Sequence, residues 1–135
     1  MGPNSLTETQ AFLAEATIER TDGYVLAVVL DGSFIGSAAA WSTSASNKAG
    51  EMGYTPHPNC WGQGYATEVA ELLLRVGFEQ LELERVAATC DPENLASARV
   101  LEKAGLRYEG RLRGNVVARG RRRDSLMYAI LRSDV

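Results

Sequence analysis

The chain has 135 residues, 45% of them hydrophobic and 23% charged. That is enough for one hydrophobic core, short for two, and unlike a disordered segment. Fourteen basic against 17 acidic residues leave a net charge of -3, which argues against nucleic acid as the main partner, since polyanion binding needs a concentrated basic surface. Cys60 and Cys90 make no disulfide framework, and they stand too far apart for a metal-ligand pair. With His57 as the single histidine, a histidine-rich zinc site is excluded. No apolar run approaches the length of a membrane span and no secretory signal opens the chain, so a reduced cytoplasmic setting is expected.

Thr7-Glu8-Thr9-Gln10 reads as a capping box, and Phe12, Leu13 and Ala16 follow at helical spacing, so an amphipathic helix is predicted over residues 7–19. Asp22-Gly23 breaks it. Residues 24–30 and 33–41 read as strands around the hairpin signal Asp31-Gly32. Residues 42–47 read as a loop and 49–55 as a third strand. Pro56, Pro58 and Asn59 interrupt regular structure, and Gly62 and Gly64 allow unusual backbone angles. A helix is predicted over 67–78, with Val69, Leu72, Leu73 and Val76 on one side. A short strand follows over 85–90. Asp91-Pro92 turns the chain, Asn94 or Asp91 caps a helix running to about Ala104, and Gly105 stands where a C-cap glycine belongs. Residues 106–112 and 125–131 read as two last strands joined by a Gly- and Arg-containing link. The order α-β-β-β-α-β-α-β-β predicts one α/β or α+β domain over 1–135. Its sheet is mixed, because the strand-helix-strand crossover makes one pair parallel.

The Gly62–Gly64 turn between a strand and a helix N-terminus is an anion site in outline. Unpaired backbone N–H groups converge there and the helix dipole favours negative charge. A purely structural turn has the same spelling. A nucleoside-triphosphate loop is excluded by the absence of Gly-x-x-x-x-Gly-Lys-Ser/Thr. A dinucleotide fingerprint is excluded because Thr67 takes the third glycine's place.

Three blocks carry a resemblance: Glu51-Met52-Gly53-Tyr54 with His57-Pro58 and Trp61-Gly62-Gln63-Gly64-Tyr65-Ala66-Thr67-Glu68; Asp91-Pro92-Glu93-Asn94 through Gly105-Leu106; and Asp124 before Met127-Tyr128-Ala129. Together they resemble the Gcn5-related N-acetyltransferase superfamily, and within it the branch of the ribosomal-protein alanine N-acetyltransferases. The resemblance implies a mostly antiparallel sheet with one splayed parallel strand pair and flanking helices, the acyl-CoA N-acyltransferase type. It implies that acetyl-CoA is the cosubstrate, with no metal. Its pyrophosphate would be cradled by the loop beginning at Trp61, through the N–H groups of Gly62, Gln63, Gly64, Tyr65, Ala66 and Thr67. Its pantetheine arm would run along Met52 to Thr55, past Asn94, with the sulfur near Ser97.

Direct attack by an amine needs an uncharged amine, a stabilised oxyanion and a proton for the departing thiolate. Glu51 is the candidate for helping the amine lose its proton, the alternative being an ordinary strand carboxylate facing solvent. A backbone N–H near Tyr54 is the candidate for the oxyanion. Many superfamily members carry a tyrosine seven residues after Asn94, where this chain has Leu101. The branch lacks it too, so Ser97 becomes the candidate proton donor, with Tyr108 behind it. His57 reads as non-catalytic, Cys90 as structural, Arg99 and Lys103 as helix-surface groups within reach of a cofactor phosphate, and the Arg119–Arg123 run as a solvated loop or a contact for an acidic substrate or the cofactor's 3′-phosphate. Pro56 lacks the N–H that relatives offer the pantetheine. The first strand and helix of relatives read as missing, which predicts an exposed sheet edge and favours a homodimer. The expected function is acetyl transfer to a primary amine, a protein N-terminus or a small molecule. The alternatives are a non-catalytic acyl-CoA-binding or regulatory module and, third, a structural subunit.

Overall fold

The computed structural model describes residues 9–12, 22–30, 32–56 and 65–135. The strands are β1 (Thr9–Phe12), β2 (Gly23–Leu30), β3 (Ser33–Ser44), β4 (Ala49–Pro56), β5 (Arg85–Cys90), β6 (Arg107–Ala118) and β7 (Arg121–Leu131). The helices are α1 (Tyr65–Arg75), continued by a π-helical turn Val76–Gln80, and α2 (Leu95–Lys103). The strands form one sheet in the order β1-β2-β3-β4-β5-β7-β6, antiparallel except where β4 meets β5. This is the mixed, mostly antiparallel sheet with flanking helices that the sequence predicts.

Strand alternation sends Leu26, Val28, Ala38, Ala40, Met52, Val86, Tyr128 and Ile130 to the helix face, where all are buried. The helices pack on one another and on this face. α1 supplies Val69 and Leu73, each almost wholly buried, and each such side chain is worth about 1.5–3 kcal/mol of burial. Where α1 widens into its π turn, Leu81 N–H donates to the Val76 carbonyl at 3.0 Å. Arg132 closes that end. It donates to the carbonyls of Phe78 and Leu83, lies 3.3 Å from the Glu84 carboxylate, and stacks over the Phe78 ring.

Two expectations need correction. Thr9–Phe12 is strand, not helix: it pairs antiparallel with β2 from Thr9↔Leu30 to Phe12↔Ala27. The open backbone of a sheet edge offers a complete row of partners, which outweighs a brief helical periodicity. The remainder of the predicted helix, residues 7–8 and 13–19, lies outside the described residues. The edge of β2 predicted to be exposed is therefore covered along Ala27–Leu30. The second correction concerns the link after Leu112. It is strand nearly throughout, because β6 and β7 continue as a hairpin with Val116↔Arg123 and Ala118↔Arg121 in register beyond a bulge.

Candidate active site

β4 and β5 are parallel partners at only three positions, Ala49↔Arg85, Gly50↔Val86 and Glu51↔Ala87. Beyond them β4 stays paired with β3 as far as Gly36↔Pro56, while β5 stays paired with β7 as far as Cys90↔Leu126. Each strand is thus held to the opposite half of the sheet, and the two separate into a widening gap. From Met52 onward the edge of β4 lies beyond its ladder with β5, at the depth where an extended ligand could run along it.

Helices from one face turn this gap into a groove. Its walls are Met52, Gly53 and Tyr54 of β4, Ala88, Thr89 and Cys90 of β5, Ala66 and Ala70 of α1, and Ala96, Ser97 and Leu101 of α2. The small side chains Ala66, Ala70, Ala96 and Ser97 leave this space between the helices and the strands. The groove is mainly apolar with a few polar groups, which is the usual character of a small-molecule site. The first turn of α1 opens beside it, and the first N–H groups of a helix have no intrahelical acceptor.

Asn94 is the N-cap of α2: its Oδ1 accepts the Ser97 N–H at 3.0 Å. Ser97 lines the groove, and among the described residues its hydroxyl makes no hydrogen bond. Met52 is buried, while Tyr54 is half-buried in the groove wall. Ala66 lines the groove, whereas Tyr65 packs on the core and Thr67 occupies the first turn of α1. Glu51 is on the opposite face of the sheet from Met52, across from Trp41 and Ala87. It stands at the root of the gap and does not line the groove. Strand alternation sets Glu51 and Gly53 on one face and Met52 and Tyr54 on the other. Trp61, Gly62, Gln63, Gly64, His57 and Cys60 lie outside the described residues.

Leu101 is buried in the groove wall. Tyr108 does not reach the groove; it meets Tyr128 edge-on at 5.6 Å. Arg99 and Lys103 are exposed on α2. Cys90, read from the sequence as structural, has its side chain in the groove wall and is a free thiol. Burial, then the Asp91 carboxylate, push that thiol up from its ordinary pKa. The signal was available in strand alternation, since Ala88 and Cys90 share the helix face. Among the described residues no His/Cys/Asp/Glu cluster could hold a metal ion.

A family model described as an acetyltransferase (GNAT) domain matches residues 1–107. Among curated proteins the chain is similar to the uncharacterized N-acetyltransferase YnaD of Bacillus subtilis (strain 168), 39% identical over 84 residues, covering 62% of this chain and 49% of that protein. It is similar also to the uncharacterized N-acetyltransferase p20 of Bacillus licheniformis, 34% identical over 100 residues, covering 74% and 56%. Among solved structures it resembles Mycobacterium smegmatis RimJ in complex with CoA-disulfide, with a TM-score of 0.79 and 30% identity, covering 84% of this chain and 55% of that one. The chain spans about half the length of these relatives.

Proposed function

The chain belongs to the acetyltransferase (GNAT) domain family, and on that premise we propose that it transfers an acetyl group from acetyl-CoA to a primary amine by direct attack. The observation that carries this reading is the separation of β4 from β5 after Glu51↔Ala87. It leaves a strand edge and an apolar groove side by side, as a thioester arm of amide and methylene units requires. The β4 edge from Met52 to Thr55, which lies beyond the ladder with β5, would bind the arm, with Met52 and Leu101 beneath it. The α1 N-terminus, with Tyr65, Ala66 and Thr67, would hold the pyrophosphate together with the loop Trp61-Gly62-Gln63-Gly64. Asn94 would meet the arm through its amide NH2, because its oxygen already caps α2. When bound, acetyl-CoA supplies the activated acyl group.

This chain's residues do the rest. A backbone N–H near Tyr54 stabilises the negative charge that develops on the carbonyl oxygen. Ser97 Oγ–H, which makes no hydrogen bond among the described residues, donates to the sulfur as the thiolate leaves. Glu51 faces the side of the sheet away from the groove, so it would take a proton from an amine that approaches through the gap from that side, directly or by one water. Branch resemblance favours a protein N-terminal amine over a small-molecule amine.

A second reading, a non-catalytic acyl-CoA-binding module, draws on Pro56, which ends β4 without an N–H to offer, and on Leu101, which fills the groove wall where many relatives place a phenol. Thiol release from acetyl-CoA, measured against amines and short peptides, separates the two. Acceptor-dependent release is expected. Calorimetric binding of CoA with no release for any acceptor would leave the second reading standing, and no binding at all would remove both.

A further inference from the structure

The charges of this chain are segregated. Residues 107–124 hold seven of the 14 basic residues, all arginine, against Glu109 and Asp124. That segment is +5, and the rest of the chain carries -8 of the total of -3. These seven arginines lie along β6, β7 and the Arg119-Gly120 turn that joins them.

The position of this ribbon relative to the groove follows from the sheet register. β5 ends at Cys90, paired with Leu126, and Cys90 is in the groove wall. β7 and β6 run on past that point, from Ser125 and Leu112 to Arg121 and Ala118, as a two-stranded extension. Arg107 and Arg111 therefore lie alongside β5, with Arg107 3.5 Å from Asp134, whereas the ribbon's other five arginines, Arg113, Arg119, Arg121, Arg122 and Arg123, stand beyond the end of β5, at the mouth of the gap. Arg123 ties its base there: the guanidinium is 3.7 Å from Asp91, the first residue after β5, and donates to Ser125 Oγ at 3.2 Å.

Both acids of the segment are already engaged, Glu109 by Arg85. Asp124 accepts Arg111 Nε and the Gly114 N–H, both at 2.7 Å, and Arg122 donates to the Gly114 carbonyl at 2.6 Å. These bonds fix the bulge and hold the ribbon's shape. Arg119 and Arg121 are exposed, and among the described residues neither guanidinium has a hydrogen-bond or ion-pair partner. The paired strands from Leu112 to Ala118 extend roughly 20 Å at the usual strand rise. That length suits an extended acceptor of several residues, more than a single small amine.

We infer that this ribbon receives the acceptor, and that the acceptor is the N-terminal amine of an acidic polypeptide segment. The inference rests on the transfer reading above and names its substrate class. Guanidinium groups recognise carboxylates by paired N–H donors. The same field repels a polyamine from the gap, and it speeds the encounter with a negatively charged chain.

The test uses alanine-led peptides with free N-termini, labelled at the C-terminus and differing only in Glu, Gln or Lys at the following positions. Binding is read by fluorescence anisotropy in the absence of acetyl-CoA, and acetylation by thiol release. The Glu peptide should bind about tenfold more tightly than the Gln peptide at low salt, with the difference lost at high salt. The Arg119→Ala/Arg121→Ala variant should lose that difference while its melting temperature and CoA affinity hold. Arg121→Glu should reverse the preference towards the Lys peptide. Equal binding of the three peptides, an undiminished preference in the double variant, or tighter binding of a single-stranded RNA of equal charge overturns the inference. Charge-selective peptide binding without thiol release from any peptide counts against transfer and leaves the ribbon's selectivity in place, whereas transfer indifferent to peptide charge removes the ribbon's role alone.

Discussion

The side-chain oxygen of Asn94 accepts the backbone N–H of Ser97 at 3.0 Å, so the residue that starts α2 also fixes the one whose hydroxyl faces the groove. Loss of an N-cap costs about 1 kcal/mol. Asn94→Ala should therefore lower the melting temperature by a few degrees and weaken CoA binding as well. Asn94→Asp keeps the cap oxygen and adds a favourable charge at the helix N-terminus, yet it removes the amide donor. It should melt like the parent and bind CoA more weakly. Calorimetry beside thermal melts separates the two effects, and parental CoA affinity in Asn94→Asp would remove this side chain from the cofactor site.

Ser97→Ala deletes a hydroxyl that makes no hydrogen bond among the described residues, in a helix where alanine is the better former. Stability should hold or rise slightly. Turnover should fall by about 10²-fold if the hydroxyl protonates the leaving thiolate, with CoA affinity changed far less. Single-turnover thiol release is the measurement. A rate equal to that of the parent takes Ser97 out of the mechanism.

What the sequence made legible was what local chemistry decides. Asp91-Pro92, the Asn94 cap and Gly105, with φ of +102°, bracket α2 within a few residues of one another, and β5 was read to the residue. The errors came from distant partners. Residues 9–12 are strand because β2 offers them an edge, and no helical periodicity within them reports that. The π turn after α1 is closed by Arg132, more than fifty residues along the chain, through the Phe78 carbonyl. The ribbon after Leu112 looked like a loop because of Gly114 and Gly120. Both glycines take positive φ, but one sits in a bulge and the other in the hairpin turn, with strand on either side. For the site, the family blocks placed Tyr54 and Ser97 in the groove. They did not convey that Glu51 faces away from it, although strand alternation did.

Gly50 sits at the root of the gap, between Ser42 of β3 and Val86 of β5. A Cβ there would strike the backbone carbonyl of Trp41 and come within 2.5 Å of Leu83 Cδ1. A carbonyl held in a sheet ladder has little freedom to yield. Gly50→Ala should destabilise the protein by about 3 kcal/mol, read from denaturant unfolding. Gly53→Ala is the control. Its Cβ meets nothing closer than 3.9 Å, so folding should be unaffected, and only CoA affinity should fall if the ligand passes close to that backbone. Equal stability losses in the two variants would contradict the assignment of Gly50.

Arg85 donates to both oxygens of Glu109, at 2.9 and 2.7 Å, and that bonding holds the Glu109 carboxyl below its ordinary pKa. Asp124 is held down likewise, first by Arg111 and then by the Gly114 N–H. A carboxyl whose folded pKa is depressed contributes stability that is complete above its unfolded value and disappears as pH falls through the folded one. The melting temperature should thus decline on acidification, beginning in the ordinary carboxylate range. Glu109 is exposed and Asp124 half-buried, so solvent screening keeps the effect small. In Glu109→Gln/Asp124→Asn the decline should be shallower, and an acid limb identical to the parent's would show that these pairs do not couple to folding.

Cys90 gives the groove a spectator that can report on it. Its thiol is raised first by burial and next by Asp91, with Arg123 acting partly in the opposite direction. The thiolate is the reactive form, so iodoacetamide should modify Cys90 slowly at neutral pH, with mass mapping to distinguish it from Cys60. The rate should climb only above the ordinary thiol range. The stability linkage has the sign of a raised group: the contribution is complete below the unfolded pKa and is lost as pH rises through the folded value. Asp91→Asn removes the second cause and should speed labelling, while Arg123→Ala should slow it. Because Cys90 shares the groove wall with Ser97 and Tyr54, saturating CoA should protect it. Labelling at an unchanged rate in the presence of bound CoA would move the cofactor out of this groove, and with it the sulfur from Ser97.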